Sequence, residues 1–521
     1  MKMRSLSFVS GLVLSAAVIA SILVTPAAAK QPPKPPPPPP PSSFSTYVKN
    51  YASLIDGVKC DVTPEVVQAT SDGGFVALAL SSRPSASASD SCRGVSWVVK
   101  FDASGSPQWQ EVVGCFNLAP GSYAYGLSLQ QTADGGYVIG GGTIGCGSTT
   151  SCAAASGIQC GLVEKLDSTG KLVWAQAYSA GASGSAINQL KPTSDGGFVA
   201  VGSATDLSHN TGALILKLDS RGIVQWQRQL GPTSSTQGYL NAVQQIADGG
   251  YVATGESSTP IAGLPRKSVL VVKLDSSGNV LWQRGYNNFD SSGAPTAAEQ
   301  ALSIIQSSEG GYLVAGSWGN TGTPGNAGAL LLKLDANGNS QWQKAYSGGL
   351  YCFFNGYNET CTTLSGVAYS ARQTSDGGYV LAGDGKLKLN DSTPLVPWLA
   401  KVDASGNLLW QHFYYQAHPR TGRPLSQYFA SSDLTSSGGY VALGFTQNPT
   451  DLAGELFAVN TDSAGLVGAC SQVHPATPLN AIDPGLATIA LALPVQTTIA
   501  AQGNSPSRTQ PTSISSTPGQ C

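Results

Sequence analysis

The residues best suited to chemistry lie in a few stretches. "SGGLYCFFNGYNETC", residues 347–361, sets Tyr351, Phe353, Phe354 and Tyr357 beside Cys352 and Cys361. Aromatic faces stack on sugars or anchor a protein partner, and a Cys352–Cys361 disulfide would hold them as a rigid platform. The same rings can instead pack under their own loop as a satellite core. "FYYQAHPRTGRPLSQYF", residues 413–429, brings His418, Arg420 and Arg423 near Tyr414 and Tyr415. That set suits an anionic or sugar ligand, or a solvated loop. Glu256 and Asp384 each follow the glycine that ends an apolar run, where two carboxylates can contact a ligand or a cation. Glu164 interrupts an apolar run at a position held elsewhere by Val99, Leu216, Val272, Leu332, Ala400 and Val459. A carboxylate there needs a partner or a raised pKa.

Catalytic sets are absent from the pattern. His209, His412, His418 and His474 stand at no metal-ligand spacing, and no G-x-S-x-G nucleophile motif occurs. "DANGN" at Asp335 lacks the alternating carboxylates and distal Glu of a calcium loop and reads as a hairpin. None of the 10 cysteines forms C-x-x-C, so neither a zinc ribbon nor a thioredoxin-like motif is indicated. No catalytic residue and no metal site is expected.

The elements that must position these residues are repeats. "TSDGGYVLAG" at Thr374 recurs as "TSDGGFVALA" (Thr70), "TADGGYVIGG" (Thr132), "TSDGGFVAVG" (Thr193), "IADGGYVATG" (Ile246), "SSEGGYLVAG" (Ser307) and "TSSGGYVALG" (Thr435). The first glycines of these pairs lie between 53 residues (Gly196 to Gly249) and 67 residues (Gly310 to Gly377) apart. Six copies are followed by K-[L/F/V]-D-x-x-G-x-x-x-W, with Asp to Trp seven residues in all six, as in Asp102 to Trp109. The tryptophans are Trp109, Trp174, Trp226, Trp282, Trp342 and Trp410; the seventh copy keeps Asp462 but has Ala469 for Trp and Asn460 for Lys. Asp-Gly-Gly and Asp-x-x-Gly are hairpin chemistry, because Gly accepts positive φ and Asp bonds its own turn backbone. The apolar stretches between them are short and rich in β-branched or aromatic residues. Each unit therefore predicts strands a, b, c and d, with tight a–b and c–d turns. Seven such units predict an all-β fold, a seven-bladed β-propeller of four-stranded antiparallel blades. The repeated lysines, Lys100 to Lys401, read as a solvated edge or as ion pairs to a turn Asp rather than a basic ring.

The pattern "DGGYVLAG … WLAKVDASGNLLWQ" resembles the repeats of exported prokaryotic β-propeller proteins over about residues 60 to 470. "KLDSTGKLVW" also resembles the tryptophan-docking motif of quinoprotein dehydrogenases and of the outer-membrane assembly propeller. The resemblance implies that the six tryptophans wedge between neighbouring blades. The quinoproteins' eight blades and vicinal Cys–Cys pair are absent, and no cofactor is expected.

The rest of the chain sets compartment and boundaries. Lys2 and Arg4 precede an apolar run, Leu6 to Val24, and "TPAAAK" offers cleavage after Ala29, so residues 1–29 read as a signal peptide. Residues 30–45 form a proline-rich linker, 46–470 the propeller, and 471–521 a low-complexity tail that is flexible unless it adds a strand or docks on the ring. A net charge of -2 with 11% charged residues excludes the basic face that nucleic acid requires. In an exported chain the cysteines suggest disulfides; Cys60–Cys470 is expected to clamp the ring's ends. Both tight turns of a blade share one face, so all length variation falls on the other, where loops on a rigid scaffold carry function. The expected function is a non-catalytic binding or surface-interaction module, secreted, periplasmic or on the cell surface, taking a glycan or protein ligand. No integral membrane domain is expected after signal cleavage. The alternatives are an extracytoplasmic enzyme of quinoprotein-like or carbohydrate-active type, and a structural envelope or matrix protein.

Overall fold

The computed structural model describes residues 46–55, 58–82, 95–114, 123–144, 158–179, 184–231, 237–261, 264–288, 299–319, 327–347, 350–354, 359–387, 394–414, 425–447 and 453–467, and seven short strands between 473 and 518. Strand β1 (Tyr47–Ile55) precedes the repeats. Blade 1 holds β2 (Val58–Ala69), β3 (Phe75–Ser82), β4 (Val95–Phe101) and β5 (Pro107–Gly114). Blade 2 holds β6 (Tyr123–Gln131), β7 (Tyr137–Ile144), β8 (Gln159–Leu166) and β9 (Leu172–Ser179). Blade 3 holds β10 (Gly184–Pro192), β11 (Phe198–Thr205), β12 (Thr211–Leu218) and β13 (Val224–Leu230). Blade 4 holds β14 (Gln237–Gln245), β15 (Tyr251–Ile261), β16 (Leu264–Leu274) and β17 (Val280–Asn288). Blade 5 holds β18 (Gln300–Gln306), β19 (Tyr312–Gly319), β20 (Ala327–Leu334) and β21 (Ser340–Ser347). After β22 (Leu350–Phe354), blade 6 holds β23 (Glu359–Gln373), β24 (Tyr379–Leu387), β25 (Leu395–Val402) and β26 (Leu408–Tyr414). Blade 7 takes β27 (Gln427–Leu434), β28 (Tyr440–Gln447) and β29 (Gly454–Thr461) from its own repeat. Its fourth strand is β1, which pairs antiparallel with β29 from Tyr47↔Asn460 to Tyr51↔Leu456. The architecture is a seven-bladed propeller, and among the described residues no helix is long and apolar enough to cross a membrane.

This closure explains the degenerate seventh repeat, whose outer strand the sequence pattern leaves without a source. In six blades the strand-c Lys faces the strand-d Trp, as Lys100↔Trp109 and Lys273↔Trp282 do. In blade 7 the same register is filled by Asn460↔Tyr47. Asp462 and Gly465 persist there because their turn serves blade 6: Trp410 lies against Gly465, and the Tyr414 hydroxyl donates to the Gly465 carbonyl at 2.6 Å. Cys60 lies within β2 opposite Ser53.

The tryptophans dock the blades. Each lies against the c–d turn glycine of the next blade: Trp109 on Gly170, Trp174 on Gly222, Trp226 on Gly278, Trp282 on Gly338, Trp342 on Gly406, Trp410 on Gly465. Tyr47 does the same on Gly105 and closes the circle. Five tryptophan rings also meet the aromatic that follows the next Gly-Gly, as Trp226 meets Tyr251 edge-on at 5.6 Å. The contact requires glycine. At Gly278, φ is +78° and a Cβ would stand 2.7 Å from the Trp226 ring, whereas at Gly249, φ +83°, it would meet nothing within 4 Å. Gly249→Ala is expected to cost roughly 1–2 kcal/mol for left-handed backbone alone. Gly278→Ala is expected to cost a further 1–3 kcal/mol, roughly the range for overpacking. Urea midpoints of the two variants check this, and equal losses would remove the clasp.

The chain between 473 and 518 continues the sheets outward. β30 (Val473–Pro475), β31 (Asn480–Ile482), β32 (Leu486–Ala490), β33 (Val495–Gln496), β34 (Ala501–Asn504), β35 (Arg508–Pro511) and β36 (Ser513–Pro518) pair with the outer strands of blades 6, 5, 4, 3, 2, 1 and 7 in turn. The tail thus runs backwards round the ring as a belt and covers edge strands that would otherwise present unpaired backbone groups. The apolar stretch that begins at Leu486 supplies β32, which adds to blade 4 beside β17.

Candidate functional site

The tight-turn face is uniform. Seven a–b turns repeat the bond from Gly N–H to the carbonyl three residues back, as Gly73 to Thr70, and seven c–d turns do the same, as Gly105 to Asp102. In six blades the strand-c Lys reaches the a–b turn carboxylate: Lys100–Asp72 and Lys217–Asp195 at 2.8 Å, Lys165–Asp134 at 3.0 Å, Lys273–Asp248 at 3.1 Å, Lys333–Glu309 and Lys401–Asp376 at 2.7 Å. Blade 7 has lost both partners together, to Asn460 and Ser437. The repeated lysines are therefore internal staples and not a basic ring.

The opposite face is irregular. In blade 4, strands b and c run on as an arm to Ile261↔Leu264. In blade 3 the b–c link is a tight turn in which the Asp206 carboxylate accepts the N–H groups of Ser208 (2.8 Å) and Asn210 (2.9 Å). His209, at φ +62°, is the one non-glycine with positive φ among the described residues. The aromatic stretch, expected as a loop, forms a hairpin on strand a of blade 6: β22 pairs with β23 from Leu350↔Thr363 to Phe354↔Glu359. Cys352 and Cys361 lie directly opposite in that register. Antiparallel partners stand about 4.5–5.5 Å apart at Cα, within the span of a disulfide. The side chains of Tyr351, Phe353 and Phe354, and all of Tyr357, His418, Arg420 and Cys470, lie outside the described residues. Cys60 and Cys160 are disulfide-bonded.

Glu256 and Asp384 are buried with partners of their own. Glu256, opposite Tyr239 in strand b of blade 4, is ion-paired to Lys267 at 3.0 Å. Asp384 accepts a hydrogen bond from the Tyr369 hydroxyl at 3.2 Å. Glu164 is buried opposite Ile139 and Ala175. His412 is structural: it stacks on Trp410 at 5.0 Å and bonds the Ala464 carbonyl at 3.0 Å. Among the described residues no group of three His, Cys, Asp or Glu is placed to hold a metal.

What the sequence pattern does not reveal is the lumen. Strand a is innermost in each blade, and each carries a bulge eight residues before the first glycine of its Gly-Gly pair. The extra residues are Glu65, Leu127, Asn188, Asn241, Leu302, Tyr369 and Ala430. All seven are half-buried. Neighbouring blades are stitched at this level: Asn188 donates to the Leu240 carbonyl and Asn241 to the Ala301 carbonyl, both at 2.9 Å. Burial raises the Glu65 carboxyl to about 8, so it is largely protonated at neutral pH. Tyr428 of blade 7 has its hydroxyl pKa raised by burial first, then by Glu65 of blade 1 and Asp384 of blade 6. Three consecutive blades therefore converge on one spot. The signal was present in the sequence as a constant offset from Gly-Gly, but the residue types at that offset differ from blade to blade.

The family model described as outer membrane protein assembly factor BamB matches residues 95–322. That span begins at strand c of blade 1, extends past strand b of blade 5 and bears on the propeller repeat architecture. No curated protein matches the chain significantly. Among solved structures, a glycosyl hydrolase from Bacteroides ovatus is similar at 12% identity and a TM-score of 0.23, covering 56% of this chain and 85% of its own. At that score the likeness carries no argument.

Proposed function

We propose that the protein is an exported, non-catalytic binding module that presents the irregular propeller face to a glycan or protein ligand at the cell surface. The observation that supports this is the asymmetry between faces. Fourteen turns on one face repeat two hydrogen-bond patterns, while the other carries connections of unequal length, among them the blade 4 arm and the β22–β23 hairpin. The matched family model describes an outer-membrane assembly factor, a role in keeping with binding outside the cytoplasm. The test is a glycan array and a cell-surface protein capture. Each compares the wild type with a variant in which Tyr351, Phe353, Phe354 and Tyr357 are all Ala. Binding by the wild type and at least about tenfold loss in the variant is expected, since truncating a few aromatic anchors removes most of an interface's energy. No glycan bound removes the lectin reading, and equal binding by both forms removes the hairpin as the contact.

A second reading has one observation in its favour. Two carboxyl groups in different environments, Glu65 held protonated by burial and Asp384, both act on Tyr428, and glycoside hydrolysis uses two carboxyl groups whose environments differ in this way. Bound glycans from the same array, incubated with the protein, distinguish the two. Release of reducing ends that stops in Glu65→Gln would favour the carbohydrate-active enzyme.

A further inference from the structure

The lumen has a second ring, five residues before the first glycine of each pair and so near the tight-turn face. It comprises Gln68, Gln130, Lys191, Gln244, Ile305, Arg372 and Asp433, one residue from each strand a, all half-buried. Several of these side chains lie along the channel wall and cap the inward N–H of the next blade. Gln68 accepts from Gln131 N–H at 2.6 Å, Gln244 from Gln306 N–H at 2.8 Å and Asp433 from Ala69 N–H at 3.1 Å.

Lys191 and Arg372 break this pattern, being donors where acceptors are needed. Arg372 Nε donates to Asp433 Oδ1 at 2.9 Å and Nη1 to the Ala371 carbonyl at 3.0 Å. Its Nη2 has no partner among the described residues. Asp433 also accepts the Leu434 N–H at 3.0 Å, so both its oxygens are engaged. Among the described residues the hydrogen-bond partner of Lys191 is neutral, the Gln130 amide oxygen at 3.0 Å. Lys191 and Arg372 stand at the same level of the lumen, in strands a of blades 3 and 6. Burial first, then Arg372, lowers the Lys191 ammonium to about 8, against the smaller opposing effect of Asp433. Two cations and one carboxylate leave an excess positive charge inside a protein whose net charge is -2. Low-dielectric walls focus such a charge on whatever enters.

We propose that the tight-turn end of the central channel is an anion site, in which Lys191 and Arg372 bind a small oxyanion, either phosphate or the carboxylate of a uronic acid, between them. The site is independent of the loop-face reading. The guanidinium edge left open at Nη2 suits an oxyanion, and the ammonium of Lys191 retains donors beyond its bond to Gln130. The ring offers no metal-binding set, and its three glutamines contribute no charge.

Calorimetric titration of the full chain tests this, with inorganic phosphate in one arm and glucuronate in the other, at ionic strength matched with sodium chloride. One or both anions are expected to bind the wild type at one per chain, and the arm that gives heat names the source. Lys191→Gln and Arg372→Gln are expected to weaken binding about tenfold or more, the loss for a charged hydrogen-bond partner. Lys191→Arg should retain binding, and Ile305→Lys, which adds a cation to the same ring, should tighten it. Absence of heat from both anions with the wild type overturns the site. So does affinity unchanged by every one of these substitutions.

Discussion

Tyr51→Ala is expected to cost about 3–5 kcal/mol of stability, the range for truncating a fully buried aromatic. Tyr51 belongs to the N-terminal strand but lies in the core between blades 7 and 1, 0% exposed. Its ring meets Phe101 at 4.6 Å, and its hydroxyl donates to the Gly105 carbonyl at 2.6 Å. Tyr178, Tyr286, Tyr346 and Tyr414 make the same bond to the next blade, so this residue completes the last of a series of interblade latches. Tyr51→Phe keeps the packing and should lose only about 1 kcal/mol, the net worth of one hydrogen bond. Deleting 47–55 removes the whole outer strand of blade 7 and should abolish the cooperative transition. Urea unfolding followed by tryptophan fluorescence checks all three. A loss under about 1 kcal/mol for Tyr51→Ala, or normal unfolding of the deletion, would mean the ring does not depend on this closure.

Stability should fall steeply below pH 4, through the turn carboxylates. Asp134 is lowered to about 2, chiefly by the Thr132 hydroxyl, with Lys165 and the Gly136 N–H adding to it against burial. At Asp195 and Glu309 burial is the largest influence and raises the pKa, but the hydrogen bonds led by Lys217 and Lys333 outweigh it and bring both to about 2. Lys401 first, then Thr374 and Gly378, hold Asp376 well below the carboxylate range. Each group's folded pKa is thus depressed below the value of about 4 that it has unfolded. The stabilisation is present above pH 4 and lost as pH falls through 2, because the unfolded chain then binds more protons. The carboxylates are about half exposed, so each contribution is small and screened, and the effect comes from repetition around the ring. Melting temperature is expected to rise as pH falls from 7 to 5, because the folded chain keeps the Glu65 proton that the unfolded chain gives up, and to drop between pH 4 and 2. Asp134→Asn combined with Asp376→Asn should shallow that drop. A melting temperature unchanged down to pH 2 would show that the staples do not contribute.

The candidate site was legible in the sequence only in part. The hairpin-forming pairs and the Lys–Trp register are local, within one repeat, and their chemistry needs no partner blade to be recognised. Glu256 and Asp384 were visible as carboxylates beyond the strand-b glycine, yet Lys267 and Tyr369, which occupy them, were not. Tyr47 looks unrelated to the six tryptophans, because neither its flanking residues nor its position in the chain match the repeat. Only pairing with Asn460 puts it in their place.

The sequence by itself determined the repeat unit, the number of blades and which face is regular. Those depend on turn chemistry and strand patterning, which act over a few residues and recur at each copy. The tertiary structure alone decided how the ring closes and what its lumen contains. Lys191, Arg372 and Asp433 share one offset from Gly-Gly but stand in three repeats and differ in type, so nothing local links them. They meet because seven innermost strands curve round a common axis, which brings residues far apart in sequence within electrostatic reach across a channel.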